Sequence, residues 1–139
     1  MNLEKLVADR ELCEQIPAGE FLDTAFCWHY TEVAGFICGN GCKQFSGKQW
    51  QLERSTSGKI TRYRQRGEQI YPAPTLQEIL EDLTKLCVTP EIFHAHKNYW
   101  TAQGETLDDD GMYKYHHGYS SNPSTAALKL WLELNKKGN

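Results

Sequence analysis

The sequence predicts an α+β fold in which a meandering, mainly antiparallel sheet is packed by about three helices. Apolar residues recur at spacings of three and four over residues 3–16, 76–87 and 123–137, which is typical of amphipathic helices. The stretches between them are rich in aromatic and β-branched residues and are separated by turn-like sequences, as in antiparallel hairpins. At 139 residues the chain can bury a core of its own, so we expect residues 1–139 to form a single domain.

Two of these helices have strong start signals. Thr75 and Glu78 match the capping-box pattern, in which each side chain accepts a hydrogen bond from the backbone N–H of the other residue. Asn122 is a favoured N-cap, and Pro123 follows it at the first helical position, where its missing N–H is not needed. The helix at 3–16 is less regular, because Arg10 falls on its apolar face.

Six stretches between the helices are predicted as strands. Gly39-Asn40-Gly41 is the strongest hairpin-turn signal in the chain. Residues 59–71 alternate between polar and apolar types, which suits a strand with one face in water. Residues 105–110 form an acidic loop before the last of these strands. The predicted strands cover residues 24–30, 33–38, 42–53, 59–71, 91–103 and 111–119.

Composition favours a cytoplasmic chain without a membrane span. The sequence from Met1 lacks the basic start and apolar run of a secretory signal, and no stretch approaches 18 uninterrupted apolar residues. The five cysteines are therefore expected to be reduced thiols, and their odd number argues against a closed disulfide framework. Cys13 and Cys87 lie on apolar helix faces, where a thiol behaves as a small hydrophobe.

Cys38, Cys42, His94 and His96 are the candidate metal ligands. If the turn between the cysteines is a three-residue loop, the two thiols face each other, and a strand would place both histidines on one face. That set suits a tetrahedral zinc ion and would support a zinc- or thiol-dependent activity. A two-residue Asn40-Gly41 turn would instead put the thiols on opposite faces. The other interpretation is a pair of turn-flanking thiols and surface histidines. No other cofactor is indicated.

A basic segment is the second candidate site. Between positions 43 and 66 there are seven basic residues and one acid, in a chain of net charge −3. On a strand running from Lys59 to Arg66, the side chains of Arg62, Arg64 and Arg66 would share one face. Three roles fit such a strand: a solvated face, a surface for a protein partner, and a nucleic-acid contact. The sequence pI of about 5.9 lacks the strongly basic character of a dedicated nucleic-acid binder. The aromatic residues placed to stack on a base are Trp50 and Tyr63.

Several catalytic and ligand-binding motifs are excluded by spacing. An EF-hand loop aligned on Gly111 would put His117 at the twelfth position, where a bidentate Glu is required. The chain has no complete dinucleotide fingerprint, no Walker lysine loop and no Gly-x-Ser-x-Gly elbow. His29, His116 and His117 match no catalytic signature, so no catalytic residue is assigned.

The two helix-start segments also carry a resemblance. They are residues 71–83 (YPAPTLQEILEDL) and 122–134 (NPSTAALKLWLEL), with an aromatic strand region between them. The pair resembles motifs of small uncharacterised proteins of phages, prophages and bacterial mobile elements. The resemblance implies a bacterial or phage protein of the cytoplasm. It implies no site residues, because that family has no established activity.

Together these observations predict a non-enzymatic binding or accessory module that acts on a protein partner. The contact surface is expected on a face of the sheet or on the basic strand. Nucleic-acid binding through residues 59–66 is the first alternative. A zinc- or thiol-dependent site at Cys38, Cys42, His94 and His96 is the second.

Overall fold

The computed structural model describes residues 3–39, 41–96 and 98–136, and within them the chain forms six strands and four α-helices. The predicted α+β class is confirmed. A short 3₁₀ helix, Leu3–Leu6, precedes these elements. The strands are β1 (Phe26–Gly39), β2 (Gly41–Arg54), β3 (Ile70–Pro72), β4 (Val88–His96), β5 (Tyr99–Leu107) and β6 (Tyr113–Ser120). The helices are α1 (Arg10–Cys13), α2 (Lys59–Gln65), α3 (Leu76–Leu86) and α4 (Pro123–Lys136).

The strands form two antiparallel sheets of three strands each. The first has the order β2-β1-β3 and the second the order β4-β5-β6. In the first sheet β1 and β2 pair residue for residue over their full length, whereas β3 pairs only with Cys27, Trp28 and His29. Most of the β1–β2 hairpin therefore extends as a two-stranded ribbon beyond the third strand.

One hydrophobic core joins the two sheets. It contains Trp28 of β1 and Ala102 of β5, and α4 supplies its largest buried side chain, Trp131. The indole Nε1 of Trp131 donates to Asp82 of α3 at 2.5 Å, which ties the two long helices together. Helix α4 packs on β5 and β6, and its backbone at Ala126 comes close to Gly118 of β6. These contacts leave the opposite face of the second sheet uncovered by α4.

Both predicted helix starts are confirmed. The Glu78 N–H donates to Thr75 Oγ1 at 3.3 Å, and the Thr75 N–H donates to the Glu78 carboxylate at 2.9 Å. Asn122 Oδ1 accepts from the N–H groups of Ser124 and Thr125 at 2.8 and 3.3 Å. The predicted helices 76–87 and 123–137 correspond to α3 and α4, and position 137 lies outside the described residues.

The single helix predicted over 3–16 is wrong. The segment contains the 3₁₀ helix and α1, separated by extended chain at Val7–Asp9, and Val7 forms a β-bridge with Thr75. The Ala8 N–H donates to the Pro74 carbonyl, and the Asp9 N–H donates to Thr125 Oγ1. These long-range bonds satisfy backbone groups that a continuous helix would have used, so tertiary contacts override the helical periodicity.

Three strand boundaries differ from the prediction. The predicted strands 24–30 and 33–38 are parts of one strand, β1, which begins only at Phe26, and the predicted strand 42–53 lies within an unbroken β2. Residues 91–103 span two strands, β4 and β5, with the reversal between His96 and Tyr99. The sequence has no Gly or Pro at that reversal, so the usual turn signal is missing.

The predicted strand over 59–71 is also wrong. Its first half is helix α2, and only Ile70–Pro72 is a strand. Ile60 and Tyr63 are three residues apart, so a helix places both on the same side, where they pack with Cys27 and Ile70. Burial in this segment follows helical spacing and not the two-residue period of a strand.

Candidate functional site

Cys38 and Cys42 lie opposite each other across the β1–β2 hairpin and are joined by a disulfide, with 4.1 Å between their Cα atoms. This register agrees with the interpretation that the two cysteines face each other, and the alternative two-residue turn is wrong. The expectation of five reduced thiols is wrong for this pair, since only Cys13, Cys27 and Cys87 are free. As a disulfide the pair offers no thiolate to a zinc ion.

The two candidate histidine ligands lie in the other sheet. His94 pairs with Trp100 in the β4–β5 ladder, and its exposed ring packs on that indole with 4.9 Å between ring centroids. His96 pairs with Tyr99, and its side chain lies outside the described residues. Among the residues whose side chains are described, no group of three or more His, Cys, Asp or Glu is arranged to hold a metal ion.

The structure does not form the predicted row of arginines. Because residues 59–65 are helical, Arg62 and Arg64 project in different directions, and Arg66 caps the helix C-terminus. Arg62 is exposed on α2. Arg64 is half-buried and donates from Nε to the Ile70 carbonyl at 3.0 Å, with its guanidinium over the Tyr71 ring. The basic segment therefore folds as a small helix held to β3.

The remaining residues of this candidate surface are also engaged within the protein. Lys59 donates to the Glu53 carboxylate at 3.1 Å and to the Arg54 carbonyl at 3.0 Å, and only 16% of its side chain is exposed. Arg66 lies over Tyr63. Trp50 is half-buried on the opposite face of the first sheet, covered by the guanidinium of Arg10 at 4.7 Å. Trp50 and Tyr63 therefore lie on opposite faces of the first sheet and do not form one stacking surface beside a row of arginines.

A buried histidine network lies between α2 and the first sheet. His29 of β1 is 5% exposed, and its Nδ1 lies 2.9 Å from the Glu53 carboxylate of β2. Its Nε2 lies 2.9 Å from the carboxylate of Glu68, which follows α2. The Tyr63 ring covers the imidazole, and Lys59 reaches the same Glu53 oxygen. The network thus connects helix α2 to the centre of the first sheet.

Both imidazole nitrogens of His29 have a carboxylate within hydrogen-bond distance, that of Glu53 at Nδ1 and that of Glu68 at Nε2. Burial acts to raise the pKa of Glu53, but the hydrogen bonds and positive charges of Lys59 and His29 outweigh it, so the net pKa is lowered. With both ring nitrogens bonded, His29 has none left to act as a general base, so the network is structural.

The second sheet has two different faces. On β6, His116 and Gly118 are buried, and Gly118 lies against the backbone of α4. The alternate residues are exposed on the opposite face. Tyr113, Tyr115 and Tyr119 are 61%, 59% and 55% exposed. We call this side of the sheet, which also carries His117, the outer face.

The exposed rings of β6 form a stacked series. The His117 ring lies between Tyr115 and Tyr119, with centroid distances of 6.4 and 5.9 Å and interplanar angles of 20° and 9°. Strand pairing places Phe93 of β4 in the same row as Tyr119, and Leu107 of β5 beside Tyr113. Phe93 and Leu107 are both exposed. The outer face therefore carries a row of exposed rings along β6, with Phe93 on β4 and Leu107 on β5 exposed on the same side.

Two carboxylates lie within this aromatic surface. Glu105 pairs with Tyr115 across the β5–β6 ladder, and Glu91 pairs with Gln103, which is itself opposite His117. The hydrogen bond from the Tyr115 hydroxyl to Glu105, together with the negative charge of that group, raises the pKa of Tyr115. Three exposed aspartates, at positions 108–110, follow β5. The outer face thus combines tyrosines with negative charge.

The sequence predicted a contact surface on a face of the sheet or on the basic strand, but it named no residue of the outer face. A signal for it exists in the alternation from Tyr113 to Tyr119, where aromatic or imidazole rings occupy every odd position. That pattern shows which side chains share a face, but it does not show which face a helix covers. The basic segment has the stronger charge pattern, so the predicted contact residues were those of that segment.

Comparison of the chain with protein-family models, with curated proteins and with solved structures finds no match. None of the helices in the described part of the chain combines the length and apolar character needed to cross a membrane.

Proposed function

We propose that this protein is a non-enzymatic binding module that recognises a protein partner through the outer face of its second sheet. The observation that carries the proposal is the stacked series Tyr115, His117 and Tyr119, exposed on a sheet whose other side is covered by α4. Clusters of exposed large apolar side chains mark interaction sites, and tyrosine is enriched at protein interfaces.

The charge on this face indicates the chemistry of the partner. Glu91 and Glu105 lie among the rings, so a partner segment bearing Lys or Arg would meet both carboxylates and aromatic faces. Cations bind over tyrosine rings, and complementary charge guides the encounter. The same charges repel phosphates, and three of the basic residues at 59–66 are engaged internally. These points favour a protein partner over nucleic acid.

A selection from random displayed 12-residue peptides tests the proposal. We expect the full chain to enrich peptides that combine Lys or Arg with apolar residues. They should bind at least about tenfold more weakly to the Tyr115→Ser/Tyr119→Ser variant, because interface tyrosines commonly contribute more than 1 kcal/mol each. Both rings are more than half exposed, so their removal leaves the core intact, which circular dichroism would verify.

The matched control is Phe36→Ser. Phe36 is an aromatic residue that is 69% exposed on the β1–β2 ribbon, away from the outer face, and its loss should leave peptide affinity unchanged. Equal binding to the wild type and the tyrosine double variant would contradict the proposal. So would salt-dependent binding of labelled DNA or RNA at low salt, or a concentration-dependent dimer that the tyrosine substitutions abolish.

We also propose, from the resemblance of residues 71–83 and 122–134, that the protein is a cytoplasmic product of a bacterial phage or mobile element. The support is the pair of capped helix starts with an aromatic sheet between them. The neighbouring genes test this origin: phage or integrase genes are expected, and housekeeping genes on both sides would contradict it.

A further inference from the structure

The β1–β2 hairpin extends well past the rest of the first sheet. Among the described residues, β1 pairs only with β2 from Thr31 to Gly39. The Tyr30 N–H donates the last hydrogen bond on the β3 side, to the Gln69 carbonyl. Nine residue pairs at about 3.3 Å per residue make a ribbon about 30 Å long. We call residues 31–39 and 41–49 the arm. A two-stranded hairpin without a third strand or a helix on it is only marginally stable.

The arm has a covalent cross-link near its end. Cys38 and Cys42 are directly opposite and disulfide-bonded, one residue pair away from the Gly39–Gly41 pair that ends the described ladder. Both cysteines are exposed. An exposed disulfide is open to attack by small thiols, unlike the buried disulfides that stabilise secreted domains.

The other three cysteines lie in unreactive surroundings. Cys13 and Cys27 are fully buried, and burial raises both pKa values, that of Cys13 to about 12. Cys87 is half-buried, its thiol donates to the Leu83 carbonyl, and its pKa is also raised by burial. Only a thiolate attacks a disulfide, so burial makes these three thiols less reactive, and the exposed cysteines are those of the arm.

We propose that Cys38 and Cys42 form a reversible thiol–disulfide site that exchanges with low-molecular-weight thiols and disulfides and thereby sets the order of the arm. The site goes beyond the proposed binding function, since it lies on the first sheet and involves no residue of the outer face. In the oxidised form the covalent link holds the two strands in register. In the reduced form the arm keeps only the weak cohesion of a two-stranded hairpin.

The exchange reaction balances with one small disulfide. One cysteine thiolate attacks the small disulfide, forms a mixed disulfide with the protein and expels one small thiolate. The second cysteine thiolate then attacks the protein sulfur of that mixed disulfide and expels the second small thiolate. The protein loses two electrons and two protons, and the small disulfide becomes two thiols. The reverse reaction consumes two small thiols and restores the dithiol.

Mass spectrometry of the full chain in graded mixtures of reduced and oxidised glutathione tests the site. After rapid alkylation of free thiols, we expect the peptide holding Cys38 and Cys42 to change between no label and two labels as the mixture becomes reducing, and to change back on reoxidation. Cys13 and Cys27 should stay unlabelled in the native protein throughout. If the pair stayed oxidised in the most reducing native mixture, the proposal would be overturned. It would also be overturned if the mixed disulfide accumulated and the Cys38–Cys42 disulfide did not form from it.

Amide hydrogen exchange measures the effect on the arm. Reduction should speed exchange in the arm by about tenfold or more, while the amides of Cys27–His29, which lie in the three-stranded part, stay unchanged. In every mixture, the arm amides of the Cys38→Ser/Cys42→Ser variant should exchange at the fast rate of the reduced wild type. The matched control Cys87→Ser should respond like the wild type. If the arm amides exchanged at the same rate in the oxidised and reduced forms, the disulfide would not set the order of the arm.

Discussion

At the residue scale, the histidine network of the first sheet shows what sequence patterns do not reveal. His29, Glu53 and Glu68 come from different elements, separated by 24 and 39 residues from His29. Nothing in their spacing indicates that both imidazole nitrogens meet carboxylates. The fold decides which carboxylates come within hydrogen-bond distance of a histidine. Such a network can therefore be described only once strand register and helix position are known.

This network predicts a pH-dependent loss of stability. The folded-state pKa of Glu53 is lowered, so its contribution is fully present above the unfolded-state pKa, near 4.5, and is lost as the pH falls through the lower folded-state value. Glu53→Gln should cost about 1.5–3 kcal/mol at pH 7, the usual range for a hydrogen bond to a charged group.

Urea unfolding from pH 7 to pH 3 measures this effect. The difference in unfolding free energy between the wild type and Glu53→Gln should shrink as the solution becomes acidic. Glu20→Gln, a substitution of an exposed acid, should follow the wild type at every pH. A difference that stays constant from pH 7 to pH 3 would show that the Glu53 charge does not stabilise the fold.

At the element scale, helix caps were predictable and short elements were not. The starts of α3 and α4 depend on residues within four positions of each other, so the sequence contains the whole signal. Helix α2 has seven residues, too few for a clear period, and its place is fixed by burial of Ile60 against Cys27 and Ile70. The predicted row of arginines required a strand at 59–66, and it does not form because residues 59–65 are helical.

The close contact between β6 and α4 predicts that adding a single methyl group at Gly118 lowers the stability of the protein. A Cβ on Gly118 would collide with backbone atoms of Ala126 and Leu130, which cannot move without displacing the helix. Gly118→Ala should therefore destabilise the protein by about 1–3 kcal/mol, as overpacking of a core does. Thermal and denaturant unfolding measure the change.

The control for this substitution is Gly47→Ala on the arm. A Cβ there meets nothing within 4 Å, so stability should stay within about 0.5 kcal/mol of the wild type. If the two substitutions had equal effects, close packing of α4 on β6 would not be the reason for glycine at position 118.

At the scale of the whole molecule, the two sheets and their helices leave three distinct surface regions. Helix α2 and its network close one face of the first sheet, the arm extends from that sheet, and α4 covers the inner side of the second sheet. The α+β class followed from composition and periodicity. The surface proposed to bind a partner did not, because exposure depends on how helices lie on sheets. Tyr115 and His116 are adjacent in sequence, yet one is 59% exposed and the other 4%.

Amide chemical-shift mapping with a peptide selected on the wild-type chain tests whether the outer face of the second sheet binds a protein partner. We expect the largest shifts on β5 and β6, at Glu105 and from Tyr113 to Tyr119, with little change in α2 or the arm. Largest shifts in α2 or in the arm, with Tyr115 and Tyr119 unperturbed at saturating peptide, would contradict it.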